Sequence, residues 1–240
     1  MERLDRKFCK LFPEISRNRA QRLIRAGQVL VGGSPVVRPG VEVADESLLE
    51  LLEDERFVSF AGRKLDVALK SFRVGVRGTA VLDVGTSTGG FADCLLQNGA
   101  SKVYGVDVGT GQLDKKLANN ADLVSMDGID IRDVASLPEL VDLVTVDVSF
   151  IAVAKIAESI FKFLKSKASC VILIKPQFEL EKGEVPKNGV VVDQKLHDQT
   201  IKSVCSIFEE AGFRCEGVVD APRKDSRKNQ EFLGYFTKNF

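Results

Sequence analysis

Asp83-Val84-Gly85-Thr86-Ser87-Thr88-Gly89-Gly90 follows the apolar run Ala80-Val81-Leu82 and precedes a stretch with helical spacing. Glycine reaches left-handed backbone conformations without steric cost and lets a ligand approach the main chain closely. The first N–H groups of the helix that opens here have no intrahelical partner. A ligand therefore belongs at this loop. The spacing is not Gly-x-Gly-x-x-Gly, since Ser87 stands two residues after Gly85, so a dinucleotide pyrophosphate is not the expected ligand. A second run, Val103-Tyr104-Gly105-Val106, ends in Asp107, 22 residues beyond Gly85, where an acid can accept hydrogen bonds from both hydroxyls of a ribose. After a third run comes Asp127-Gly128-Ile129-Asp130, and Asp130 can accept from an adenine amino group. The three features together predict an adenosine ligand without a pyrophosphate.

Outward from this loop, short β-branched runs alternate with helical stretches. Strands are expected at Ala80–Val84, Lys102–Val106, Asp122–Ser125, Leu143–Asp147, Cys170–Lys175, Arg214–Asp220 and Phe232–Thr237, with helices over 90–98, 112–118, 151–166 and 194–211. Such alternation predicts an α/β fold whose mostly parallel sheet is covered on both faces.

The chain has 240 residues, 44% hydrophobic and 28% charged, the profile of a globular protein with too much apolar content for disorder. Its longest uncharged apolar stretches are about seven residues, such as Val148–Ala154, against roughly 20 for a membrane-spanning helix. Met1-Glu2-Arg3-Leu4-Asp5-Arg6 leads into no apolar signal region. No membrane insertion and a cytoplasmic location are expected. Cys9, Cys94, Cys170, Cys205 and Cys215 are odd in number and contain no Cys-x-x-Cys pair, so neither a disulfide framework nor a metal site is expected. They read as small buried residues.

Net charge is zero but unevenly spread. Residues 1–40 hold nine bases against three acids, a net of +6, whereas Glu42 to Glu55 hold seven acids and no base. A boundary near 55–62 follows, drawn between 58 and 59. Leu4–Leu11 has helical spacing, Pro13 stops it, and Ser16 can cap a second helix running to Ala26 before Gly27. Arg19, Arg22 and Arg25 line one face of that helix while Ala20, Leu23 and Ile24 face inward. Gln28–Val31, Gly32-Gly33 and Pro35–Val37 read as strand, turn and strand. A small helix-helix-hairpin unit results, and Arg3, Arg6, Arg17, Arg19, Arg22, Arg25 and Arg38 give it the electrostatic footprint of an RNA-binding domain.

Asp-x-Gly-x-x-x-Gly-Gly with an acid ending the next strand is the pattern of class I S-adenosylmethionine methyltransferases, which assigns Asp83, Gly85, Ser87, Thr88, Gly89, Gly90, Asp107, Asp130 and Asp147 to the cofactor. Further runs extend the likeness: Arg3-Leu4-Asp5, Ser16-Arg17, Gly27-Gln28-Val29 and Arg38-Pro39-Gly40 at one end, Lys64-Leu65, Asp147-Val148-Ser149-Phe150-Ile151, Lys175-Pro176-Gln177-Phe178-Glu179 and Gly189-Val190-Val191 in the rest. With them the chain resembles the TlyA family, which joins an alpha-L (S-four type) RNA-binding domain to an FtsJ-like ribosomal RNA methyltransferase. The resemblance implies a Rossmann-like, seven-stranded sheet with its last strand antiparallel, S-adenosylmethionine as cofactor, and ribosomal RNA or ribosomal subunits as partners. It also implies 2′-O-methylation of ribose by a Lys-Asp-Lys-Glu tetrad at Lys64, Asp147, Lys175 and Glu231. Lys175 would remove the proton, Asp147 would hold that lysine and face the sulfonium, and Lys64 and Glu231 would orient the hydroxyl.

The chain departs from the family at three places. Ser59-Phe60-Ala61-Gly62-Arg63 stands where Ser-Arg-Gly-Gly usually precedes the first lysine, Val192 stands where the family usually has Arg, and Asp225-Ser226-Arg227-Lys228-Asn229-Gln230 replaces a glycine-bearing segment before Glu231. These changes bear on substrate engagement more than on cofactor binding. Two rival functions follow: a cytolytic protein, from the family's haemolysin label, and an RNA-binding scaffold with weakened catalysis. The lone His197 reads as a helix-surface or satisfied side chain, not a base.

Overall fold

Strands of the central sheet bury both faces, and the alternation within each strand shows which layer each residue serves. Ala80, Leu82 and Val84 join one apolar cluster while Val81 joins another; Cys170, Ile172 and Ile174 divide from Val171 and Leu173 in the same way. The computed structural model describes residues 1–240 apart from 14, 26, 52–55, 182, 225–226 and 239–240. The expected helix end at Ala26, the acids at 53–55 and the pair Asp225-Ser226 lie outside the described residues. The chain divides into two units, Met1–Arg56 and Phe57–Phe240. Phe57 is buried in the core of the larger one, and the Val58 N–H donates to Asp93 at 2.7 Å.

The smaller unit runs β1 (Glu2–Arg3), α1 (Leu4–Leu11), α2 (Arg17–Arg25), β2 (Val29–Val31), β3 (Ser34–Pro35), β4 (Glu42–Val43) and β5 (Leu49–Leu51). Ser16 accepts a hydrogen bond from the Arg19 N–H at 3.4 Å, the capping contact its residue type favours. Ala20 and Ile24 pack with Leu4, Phe8 and Val29 in the unit's core. Gly32 and Gly33 both have positive φ (56° and 78°), as the two-residue hairpin turn requires. The hairpin's second strand stops at Pro35, and β5, out of the acidic stretch, pairs with the other edge of β2.

The larger unit continues with α3 (Phe60–Ser71), β6 (Ala80–Val84), α4 (Gly90–Gln97), β7 (Lys102–Asp107), β8 (Leu123–Asp127), β9 (Val141–Val146), a 3₁₀ turn (Val153–Lys155), α5 (Ala157–Phe161), β10 (Leu164–Ile174), α6 (Pro176–Glu179), α7 (Gln194–Glu210), β11 (Phe213–Asp220) and β12 (Phe232–Lys238). Seven strands pair in the order β11-β12-β10-β9-β6-β7-β8, parallel except at β12, which is antiparallel to both its neighbours. Residues of α3 and α4 join the cluster on one face, and those of α5 and α7 the cluster on the other.

Two expected helices are corrected. Residues 112–118 form turns: the Leu117 N–H donates to the Asp114 carbonyl, the Asn120 N–H to the Leu117 carbonyl, both three residues back, and Asp114 turns its carboxylate to the Lys116 N–H. So short a segment gains too little from propagation to offset helix nucleation, and the side-chain bond competes with it. The helix expected over 151–166 ends at Phe161, because Leu164 already pairs with Val141 and the Val141 N–H donates to the Phe163 carbonyl. Sheet pairing takes a segment whose apolar spacing alone suits a helix. Cys94 and Cys170 are buried as expected, while Cys9, Cys205 and Cys215 are partly exposed, the last two with sulfurs 3.0 Å apart.

Candidate active site

From β6 the chain steps to β7 and β8 on one side of the sheet, then returns to place β9 on the other. Ligands of open α/β sheets bind at such a reversal, beyond the carboxyl ends of the strands. A cavity of ≈ 450 Å³ opens there, lined among others by Gly85, Ser87, Asp107, Gln112, Asp130, Asp147, Ser149 and Phe150. Its volume suits a small-molecule ligand. Gly85 has φ +87°, and any Cβ there would run into the Asp147 carbonyl oxygen. Ser87 (φ +49°) and Phe150 (φ +67°) hold left-handed conformations unusual for residues with side chains.

Of the residues assigned to the cofactor, Gly85, Ser87, Asp107, Asp130 and Asp147 line the cavity; Asp83, Thr88, Gly89 and Gly90 do not. Asp107 is aimed by two backbone donors, the N–H groups of Ser87 and Gly109, each at 2.7 Å. Asp130 grips the Arg132 guanidinium at 2.7 and 2.9 Å, which holds its carboxyl below the usual carboxylate range. Asp83 sits beneath the loop, fully buried, with one oxygen accepting from Thr145 at 2.7 Å and the other unpartnered. Burial raises its carboxyl to about 7, against the lowering effect of the Thr145 bond, and the charges of Asp147 and Asp107 add to the rise. Gly89 and Gly90 serve packing. A Cβ at Gly89 would overlap Leu117 and Leu113, and one at Gly90 would overlap Ser59 and Ala61. Gln112, to which sequence reading assigned no role, accepts from the Ser87 hydroxyl at 3.2 Å at the cavity wall.

The four tetrad positions form two ion pairs. Lys175, only 7% exposed, pairs with Asp147 at 2.6 Å and donates to the Ser149 hydroxyl at 3.0 Å. Lys64, from α3, pairs with Glu231. Ile174 faces Phe232 in the β10–β12 register, so Lys175 and Glu231 stand at the same end of neighbouring strands. The segments 147–151 and 175–179 are also fastened together elsewhere. Phe150, 90% exposed, lies 5.1 Å from the Phe178 ring, and Glu179 accepts the Val153 N–H at 3.0 Å. His197 is buried, with Nε2 3.0 Å from the Val191 carbonyl, and is a satisfied core side chain.

In the smaller unit Arg6, Arg22, Arg25 and Arg38 are exposed. Arg3 and Arg17 are exposed as well, but both bracket the buried Asp5, at 3.1 and 3.0 Å, joined by Gln21 at 2.8 Å. Lys7 is buried too, donating to the carbonyls of Ala44, Asp45 and Ser47 at 2.7–2.9 Å. The positive surface is thus narrower than a count of bases implies.

Residues 57–238 match the FtsJ-like methyltransferase family, and residues 2–48 match the S4 domain. The chain belongs to the FtsJ-like methyltransferase family. This methyltransferase is 39% identical to hemolysin A of Brachyspira hyodysenteriae over 92% of its own length and 93% of that protein's. It is 36% identical to the 16S/23S rRNA (cytidine-2′-O)-methyltransferase TlyA of Mycobacterium tuberculosis, covering 96% of this chain and 88% of the relative. A solved structure of a hemolysin-named protein from Streptococcus thermophilus superimposes with a TM-score of 0.77 at 34% identity, covering 99% of this chain and 88% of the other. The methyl donor that the cavity fits is S-adenosylmethionine. Three carboxylates and no base line the cavity among the described residues, which suits a cationic sulfonium ligand and opposes a pyrophosphate. Asp107 would take the ribose hydroxyls, and Ile129 and Ile131 offer apolar surface to a flat ring.

Proposed function

We propose that this methyltransferase modifies the 2′-oxygen of a ribose in ribosomal RNA. One observation carries the reading: a buried lysine, Lys175, is held at 2.6 Å by a carboxylate that itself lines the cofactor cavity. A ribose hydroxyl is a poor nucleophile and must lose its proton as the methyl group arrives, so a positioned amine beside the donor answers the chemical need. When bound, S-adenosylmethionine supplies a methyl group on a positively charged sulfur. Asp147 orients Lys175 and, lining the cavity, would hold negative charge toward the donor's positive sulfur. Lys175, in its neutral form, takes the hydroxyl proton and becomes the ammonium that Asp147 holds, and Lys64 with Glu231 fixes the ribose for the in-line approach of its oxygen. Exposed arginines of the smaller unit supply contacts to the RNA backbone. A ribosomal RNA substrate suits a cytoplasmic location. No helix among the described residues is long and apolar enough to cross a membrane, which leaves the cytolytic reading without a spanning helix.

The test is transfer of labelled methyl groups from S-adenosylmethionine to ribosomes, separated subunits and naked ribosomal RNA, followed by alkaline hydrolysis. A 2′-O-methyl group blocks the attack of that oxygen on the neighbouring phosphate, so the label should emerge in alkali-resistant dinucleotides. Label on mononucleotides would mean methylation of a base, and no transfer to any RNA would leave a scaffold.

A further inference from the structure

Phe60, Lys224, Asn229 and the loop ending in Val192 are spread along the chain but are joined by contacts in the fold. Lys224 lies over the ring of Phe60, with Nζ 4.8 Å from the centroid. Asn229 spans to the loop ending in Val192: its Oδ1 accepts the Val191 N–H at 2.7 Å and its Nδ2 donates to the Gly189 carbonyl at 2.8 Å. Gln230 closes the base of the 222–230 loop by donating to the carbonyls of Ala221 and Glu231 at 3.0 and 2.7 Å. The loop is therefore anchored at its foot. Beyond that foot it presents Arg223, Lys224, Arg227 and Lys228, all exposed.

Position gives this charge its meaning. The loop ends at Glu231, the partner of Lys64, at the same end of the sheet as Lys175. The cofactor cavity carries carboxylates on its lining, so the bases stand outside the part of the site that suits a cationic ligand. Val192, 81% exposed, brings no charge to the neighbouring loop.

We propose that Arg223, Lys224, Arg227 and Lys228 form a phosphate-binding clamp that grips the RNA strand next to the target ribose. This rests on the reading of the site as a ribose methyltransferase acting on RNA. The clamp works by charge and reads no base, since contacts to phosphate fix register and carry no sequence information. It adds a second point of RNA contact, in the catalytic unit, to that of the basic N-terminal unit.

The experiment compares full-length wild type with Arg227→Ala/Lys228→Ala, with the fourfold alanine variant, and with the charge-keeping Arg227→Lys/Lys228→Arg. Methyl transfer to a ribosomal RNA substrate accepted by wild type is measured across a salt series, and S-adenosylmethionine affinity by calorimetry. The expected result for the alanine variants is a KM for RNA raised by roughly tenfold or more at low salt, with cofactor affinity and kcat within about twofold of wild type. The slope of log KM against log salt should fall by about 0.7–0.9 for each phosphate that the variant no longer neutralises, and the charge-keeping variant should behave as wild type. An unchanged KM and slope in the fourfold variant overturns the clamp while leaving the methyltransferase reading intact. Loss of cofactor affinity, or equal loss in the charge-keeping variant, makes the loop structural and also overturns it. Failure of wild type itself to methylate any RNA refutes the functional reading, and the clamp with it.

Discussion

Lys175 is the residue on which the proposed chemistry turns. A guanidinium keeps the positive charge of lysine but does not deprotonate in proteins, so Lys175→Arg separates charge from base. The variant should bind S-adenosylmethionine and RNA nearly as wild type does and lose about 10²–10⁴-fold in transfer rate, read in single-turnover assays. Wild-type turnover would assign the proton to another acceptor. Asp83 makes a second prediction. Its carboxyl, raised by burial to about 7, stays protonated in the folded protein where an unfolded chain has released the proton. Its contribution to stability is therefore complete below about pH 4 and is lost as pH rises through 7. Asp83→Asn, neutral throughout, should match wild type near pH 4 and gain on it progressively towards pH 8, by on the order of a few kcal/mol in urea unfolding. Parallel profiles would show that Asp83 is ionised in the folded state.

Among the elements, the crossing of the β6 and β9 ends governs the site. Gly85 is required there twice over, by its positive φ and by the Asp147 carbonyl in the space a Cβ would fill. Gly85→Ala should push the Asp147 loop outward, disturb the Lys175 pair and raise the Kd for S-adenosylmethionine by tenfold or more, roughly 1.4 kcal/mol by calorimetry. A variant with wild-type affinity would show that the loop yields without cost. The hold of Asp147 on Lys175 was what the family resemblance implied, but the contacts of Phe150 with Phe178 and of Glu179 with the Val153 N–H were not legible in the sequence, although both runs stood out in it. Their residue types marked them as functional, but only the parallel pairing of β9 with β10 sets Asp147 against Lys175 and Phe150 against Phe178. Gln112 was given no role because its segment was expected to be helical, whereas the turns it forms bring Gln112 to the cavity wall.

At the scale of the molecule, the two units divide the work. Because Phe57 belongs to the core of the larger unit, truncation should remove residues 1–56 and no more. That truncated chain should keep S-adenosylmethionine binding in calorimetry and lose most RNA affinity in filter binding at physiological salt. Full RNA affinity in the truncated chain would make the basic face of the smaller unit a solvated surface. Acid should act on the smaller unit through Asp5. The Arg3 hydrogen bond, helped by Gln21 and Arg17, holds its carboxyl far below the usual range despite burial. Stability from this network is present above the ordinary carboxylate pKa and is lost as pH falls through the depressed one, opposite in sign to Asp83. Asp5→Asn should thus cost stability at pH 7 and progressively less as the pH approaches 2, followed by thermal unfolding.

The features that sequence alone determined are those written in local chemistry. Turn glycines, caps, β-branched runs and their alternation with helices specify the α/β architecture and the ligand loop, because each depends on residues within one turn or one strand of each other. The spacing from Gly85 to Asp107 likewise pointed to the strand ends where the cavity opens. Tertiary structure decided what depends on distant partners. It sent Gly89 and Gly90 to helix packing, placed Asp83 beneath the cavity, drew Arg3, Arg17 and Lys7 into internal bonds, and turned the end of an expected helix into β10. It also brought Phe60, Lys224, Asn229 and the Val191–Val192 loop to one place. Contacts across so many residues depend on strand order and register, and no local window of the chain contains either.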